Sequence, residues 1–134
     1  MSFEEVKEQV MEELKKDFHV IPKVKGGSSD VKILDYITAY MAAENRVKIE
    51  DLKSPSRAEN LPTMRYKIYY IVRRLYPKMS LKQIGTYFGR DWENAHSIVI
   101  YGSKQIEDNV KLFPKHESEM KRMEQEVKDI LEAI

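Results

Sequence analysis

Ser80-Leu81-Lys82-Gln83-Ile84-Gly85-Thr86-Tyr87-Phe88-Gly89-Arg90-Asp91 is the stretch whose reading decides the fold. It opens on a capping box, in which the Ser80 oxygen and the Gln83 amide can satisfy orphan backbone N–H groups reciprocally. Leu81, Ile84 and Tyr87 then mark one apolar face, and Phe88-Gly89 ends a short helix. Asp91 suits the N-cap of a longer helix running through Ile98, Val99 and Ile106 to about Asp108. A short capped helix, a tight turn and a longer helix form the helix-turn-helix pattern. Its second helix would enter the major groove of DNA, and its first would cross the phosphate backbone.

Working outward, Pro62 sits where proline is favoured, in the first turn of a helix that runs to about Tyr76 and is stopped by Pro77. On that helix Ile68, Ile71, Val72 and Leu75 point inward, while Arg65, Arg73 and Arg74 mostly point out. Ahead of it lies a polar connector from Lys48 to Leu61 containing Ser54-Pro55-Ser56-Arg57. Before the connector, Ile33, Leu34, Ile37 and Met41 stripe a helix over about Val31–Asn45, with Asp30 as its cap. Pro22 to Ser29, with paired Gly and paired Ser, reads as a linker. A first amphipathic helix is expected from about Ser2 to Asp17 on the spacing of Phe3, Val6, Val10 and Leu14. At the other end Phe113-Pro114 breaks the chain before a last helix striped by Met120, Met123, Val127, Ile130 and Ile134. The expected organisation is an N-terminal helix and linker (1–29), a central helix-turn-helix domain (30–113) and a C-terminal amphipathic helix (114–134).

Six segments read as helical and none as strand, so an all-α protein is expected, and composition excludes several other classes. The 134 residues are 42% hydrophobic and 34% charged, enough apolar material for a core. The formal net charge is only +1, yet residues 53–104 carry 10 basic and 3 acidic groups, the footprint of a nucleic-acid-binding segment. There is no cysteine, hence no disulfide, thiolate nucleophile or thiolate-bound zinc. No apolar run approaches the roughly 18 residues of a membrane span, and the acidic N-terminus is unlike a signal peptide, so a cytoplasmic location is expected. No P-loop occurs. His116, Glu117 and Glu119 read as a helix surface rather than metal ligands, and neither a metal nor another cofactor is expected. Neither paired carboxylates nor a nucleophile–base pair emerges, so an enzyme is not expected.

The residues also resemble a family. Ile49 to Arg57, Arg65 eight residues later, the Ser80–Asp91 string, and Val99-Ile100-Tyr101-Gly102-Ser103-Lys104-Gln105-Ile106-Glu107 are similar to the C-terminal DNA-binding domain of the bacterial replication initiator DnaA. The resemblance covers about residues 30–108 and implies a TrpR-like helix-turn-helix fold that binds double-stranded DNA. It implies that Arg57 enters the minor groove from a basic loop and that Arg65 contacts bases and backbone. Lys82 and Gln83 would contact phosphates, with Arg90 beside them. Tyr66 stands where the family often has glutamine, so one amide contact is missing.

The family has histidine directly after the aspartate, whereas here Trp92-Glu93-Asn94-Ala95 intervene before His96-Ser97-Ile98. Either four residues are inserted, adding about one helical turn and rotating the face by about 40°, and His96, Ser97 and Ile98 read bases. Or the helix begins at Asp91, and Trp92, Glu93 and Asn94 occupy the groove. The gapless match from His96 to Glu107 favours the first. Lys104 lies farther along the same helix as a further DNA contact.

Structural roles compete at several positions. Asp91 fits a cap better than a base reader, Trp92 fits a core plug or a stack on DNA sugars, and Gly85 and Gly102 fit close helix approach. The flanking helices are expected to pack on the central domain, or else to form a homodimer or dock a protein partner. The expected function is sequence-specific binding of duplex DNA in replication initiation or its regulation, without an ATPase. The rivals are a transcriptional regulator and a protein-interaction adaptor with a vestigial DNA-binding fold.

Overall fold

The structure, a computed structural model, describes residues 27–58 and 60–133. The helix expected over residues 2–17 lies outside them, as does the linker up to Gly26. The described residues form six α-helices and no strand: α1 (Gly27–Asn45), α2 (Ile49–Lys53), α3 (Leu61–Leu75), α4 (Leu81–Tyr87), α5 (Ala95–Leu112) and α6 (Pro114–Ala133). None is long and apolar enough to cross a membrane.

Two expectations about the first half are corrected. Gly27-Ser28-Ser29, read as linker, are helical, so Asp30 lies inside the first turn of α1 rather than capping it. A carboxylate there still opposes the positive end of the helix dipole, and burial of Leu34, Ile37, Tyr40 and Met41 offsets the weak propensity of Gly and Ser. The polar connector is not all loop either. Ile49–Lys53 forms α2, anchored by the fully buried Leu52, and five residues are too few to show a helical period.

The second half follows the pattern closely. Pro62 lies in the first turn of α3, whose Ile68, Ile71 and Val72 are fully buried. Ser80 Oγ accepts the Gln83 N–H at 3.3 Å. Helix α5 runs four residues beyond Asp108, to Leu112, and α6 starts at Pro114. The core gathers Ile37 and Met41 of α1, Ile68 and Val72 of α3, Ile84 of α4, Val99 of α5 and Met123 of α6.

Helix α6 closes this core by packing on α1, α3 and α5. Met120, Met123, Val127 and Ile130 are all buried there, so the apolar stripe considered for a dimer or partner is covered by the chain itself. Polar pairs fasten the same seam. Arg122 bridges Glu44 at 2.8 Å and Glu126 at 3.1 Å, and Tyr40 Oη donates to Glu126 at 2.5 Å. Lys67 pairs with Glu119 and Arg74 with Glu124.

Two glycines set how closely helices approach. A Cβ on Gly85 would stand 2.5 Å from the Ala95 carbonyl oxygen, and one on Gly102 would enter the Tyr66 ring. The first obstacle is backbone and cannot swing away. Gly85→Ala is therefore expected to destabilise the fold by about 1–3 kcal/mol, lowering Tm by roughly 4–15 °C in thermal unfolding followed by circular dichroism.

Burial pushes the Tyr69 hydroxyl from its ordinary 10.0 up to about 12, and burial raises Tyr40 and Tyr87 as well. Raised phenol pKa values mean that the unfolded chain releases protons first as pH rises. Stability is then complete below about pH 10 and falls toward pH 12. Urea midpoints measured across that interval should drop steeply, and Tyr69→Phe should flatten part of the drop.

Candidate nucleic-acid interface

The turn between α4 and α5 is built by backbone closure. Phe88 N–H and Arg90 N–H both donate to Gly85 O, and Gly89 N–H donates to Thr86 O. Gly89 has φ +81, and a Cβ there would meet the Lys53 carbonyl at 2.9 Å. Glycine is thus required twice over, for the left-handed conformation and for the close approach. This contact seats the turn against residues 53–55, from which the Arg57 loop departs.

After Arg90 the chain makes a second turn, in which Asn94 N–H donates to Asp91 O at 3.1 Å, and α5 begins only at Ala95. Asp91 is therefore not the cap of α5. Asn94 precedes the helix directly and makes no side-chain capping bond. Of the four extra residues, Trp92, Glu93 and Asn94 form a turn and only Ala95 is helical, so they do not add a full turn to the helix. The second reading, a helix starting at Asp91, is overturned. The reason is steric: the residue packed on Gly85 must be small, and between Asp91 and His96 only Ala95 is.

Helix α5 presents an ordered exposed face. His96 and Ser97 are exposed in its first turn, followed by Ile100, Tyr101 and Lys104. Ser97, Tyr101 and Lys104 are spaced by four and three residues and so line one side. Ile98 leans on the core and is only half-exposed; Ile100 is the aliphatic side chain turned outward. Lys82 and Gln83 are half-buried at the start of α4, and Arg57 is exposed in the 54–58 loop. Ile100 and Tyr101 were missed by sequence reasoning, although the four-residue spacing from His96 and Ser97 marks both.

Arg65 is the main correction. Expected to face outward and touch DNA, it is 0% exposed. Its Nε donates to Leu52 O at 2.8 Å and its Nη2 to Asp51 O at 2.9 Å. Burial, with the neighbouring Arg90 cation, lowers its pKa below the ordinary arginine value. The guanidinium caps the carbonyls at the end of α2, where the helix dipole is negative. Arg90 is half-buried against Tyr69, and its Nε has no hydrogen-bond partner among the described residues. Trp92 is not a core plug: it is 58% exposed, with the Lys82 ammonium 5.2 Å from its ring centroid.

Two further arginines are turned to structural partners. Arg73 donates to Ser103 Oγ at 2.7 Å, and Arg74 meets Glu124. Part of the basic excess of residues 53–104 is thus used between helices. The cations near the helix-turn-helix surface are Lys53, Arg57, Lys82 and Lys104.

Comparison with known proteins matches residues 34–106 to the family described as bacterial dnaA protein helix-turn-helix. The chain belongs to this family. It is 38% identical over 77 residues to chromosomal replication initiator protein DnaA 2 of Chlamydia trachomatis, and equally to that of Chlamydia muridarum. Each match takes in 58% of this chain and 16% of the relative, so the chain spans well under a fifth of the curated relatives it matches. No solved structure gives a significant match.

Against the DnaA-type pattern, Tyr66 has a packing role. Its ring fills the space over Gly102 and meets Tyr101 edge-on at 5.9 Å between centroids, so it braces the outward ring of α5. Arg65→Met should leave two carbonyls without their buried donor and destabilise the fold by about 3 kcal/mol, read as a lower urea midpoint. Arg65→Lys should recover little, because one ammonium cannot reproduce the two-pronged contact. An unchanged midpoint in Arg65→Met would contradict the buried position.

Proposed function

We propose that this protein recognises specific sequences in double-stranded DNA and acts in the initiation of replication or in its regulation. The observation that carries the reading is the α4–turn–α5 unit, whose Ser97, Tyr101 and Lys104 line one exposed side of α5 and whose turn packs on the segment leading to Arg57. A helix-turn-helix places such a face in the major groove. His96, Ser97 and Asn94 bring hydrogen-bonding groups to base edges, and Ile100 offers contact with a thymine methyl. Arg57 is suited to the minor groove, and Lys82, Gln83 and Lys104 to phosphates. Arg65 acts from behind, holding the loop, and the backbone carbonyl of the exposed Asp91 closes the turn. Arg90 supports the turn from its place beside Tyr69. The 134 residues hold no P-loop, and the work proposed for them is recognition of DNA rather than nucleotide hydrolysis. The replication context is supported by the relatives' names as replication initiators.

Selection from randomised duplexes at near-physiological salt tests the reading, with an enriched motif as the expected result. Arg57→Ala and Lys104→Ala should each weaken binding and reduce the slope of log K against log salt by about 0.9 for every phosphate no longer neutralised. A palindromic motif bound by a dimer would favour a transcriptional regulator. Absence of enrichment, with binding indifferent to both substitutions, would sink DNA recognition and favour a protein-interaction adaptor.

A further inference from the structure

Trp92 is the only tryptophan in the chain. It stands in the turn joining the two helices of the DNA-binding unit, within the four residues by which this chain departs from the family pattern. Its indole is 58% exposed, so the core does not account for it. It is held in place instead by Lys82, whose ammonium lies over the ring at 5.2 Å from the centroid. Lys82 belongs to the first turn of α4, and Trp92 lies three residues before α5. The ring is therefore tied to the helix expected to cross the backbone, three residues ahead of the helix expected to enter the groove.

Resting on the DNA-binding reading above, we propose that Trp92 and Lys82 form a clamp on the sugar–phosphate backbone of bound duplex DNA. The indole packs on a deoxyribose, and the ammonium turns from the ring to the adjoining phosphate. The neighbours favour this division of work. Asp91 and Glu93 are exposed beside Trp92 and repel phosphate, so contact here needs an apolar surface on the sugar and a cation displaced toward α4. They also argue against a protein partner. A protein-binding hot spot is enclosed by a sealing rim of other contacts, whereas Asp91, Glu93 and Asn94, the chain neighbours of Trp92, are all polar and exposed. Docking on deoxyribose requires no such rim, and it carries no sequence information.

A single tryptophan makes the test direct. The full chain is titrated with a labelled mixed-sequence DNA duplex, with anisotropy reporting binding. In parallel, acrylamide quenching of tryptophan emission reports exposure of Trp92. The clamp predicts that quenching falls severalfold in the complex. Trp92→Ala should bind about tenfold more weakly, in the range expected when one aromatic side chain is removed from a nucleic-acid interface, while selecting the same DNA sequence, and Trp92→Phe should recover part of the affinity. Lys82→Gln should lower the salt slope by about one. Thermal unfolding confirms that each variant folds. Unchanged quenching together with unchanged affinity in Trp92→Ala, while the parent protein still binds, overturns the clamp alone. A changed sequence preference in Trp92→Ala overturns the backbone role in favour of base reading. Failure of the parent protein to bind any duplex overturns both the clamp and the DNA-binding reading.

Discussion

A guanidinium buried without any exposed surface is costly to keep, because several kcal/mol of hydration are lost with the charge. Arg65 is held in that position by the carbonyls of Asp51 and Leu52. Their local dipole at the end of α2 replaces part of the missing water. The bond pair joins α3 to the end of α2 and so fixes where residues 53–55 run. Gly89 of the helix-turn-helix packs on that same segment through the Lys53 carbonyl. One buried cation thereby sets the loop that carries Arg57 and the turn that delivers α5. The positions of the remaining outward residues depend on that link.

Charge is sorted by the same packing. Taken along the sequence, the middle of the chain is strongly basic and residues 115–134 carry 4 basic and 6 acidic groups. In the fold these are opposite sides of one seam. Glu119 and Glu124 of α6 meet Lys67 and Arg74 of α3, and Arg122 meets Glu44 of α1. Exposed pairs of this kind add little stability, but they engage cations of α3 between helices, where those charges are partnered. The field left at the helix-turn-helix surface comes from fewer groups than the sequence total suggests.

The architecture was legible because its signals are local. The Ser80 capping box, the Phe88-Gly89 stop, Pro62 and Pro114 all act within one helical turn, and each stands where the pattern places it. Gly85 and Gly102 were legible as packing glycines because a glycine within a helix has no side chain to hold a neighbouring helix off, although their partners Ala95 and Tyr66 were not named by the sequence. What was not legible depended on neighbours distant in sequence. An arginine reads as solvated from its charge alone, and nothing near Arg65 in the sequence announces that carbonyls thirteen and fourteen residues earlier will surround it. Trp92 reads as core by hydrophobicity, but the turn leaves it no apolar wall. Helix α2 has too few residues to show a period. The start of α5 was misplaced because Asp91 is a good cap by itself, and only the contact with Gly85 selects another register.

That contact also explains why an altered segment coexists with an otherwise regular helix-turn-helix. Helices α4 and α5 touch where Gly85 meets Ala95, backbone against a methyl group, and no other residue from Asp91 to His96 is small enough to sit there. Extra residues before Ala95 therefore cannot be absorbed by winding them into α5, since that would bring asparagine, glutamate or tryptophan onto Gly85. They are extruded as a turn, which leaves the register of α5 fixed from Ala95 onward. Ser97, Tyr101 and Lys104 keep their common side, while Trp92 is pushed to the rim of the surface. The constraint that protects the reading helix is thus the one that places an indole beside it.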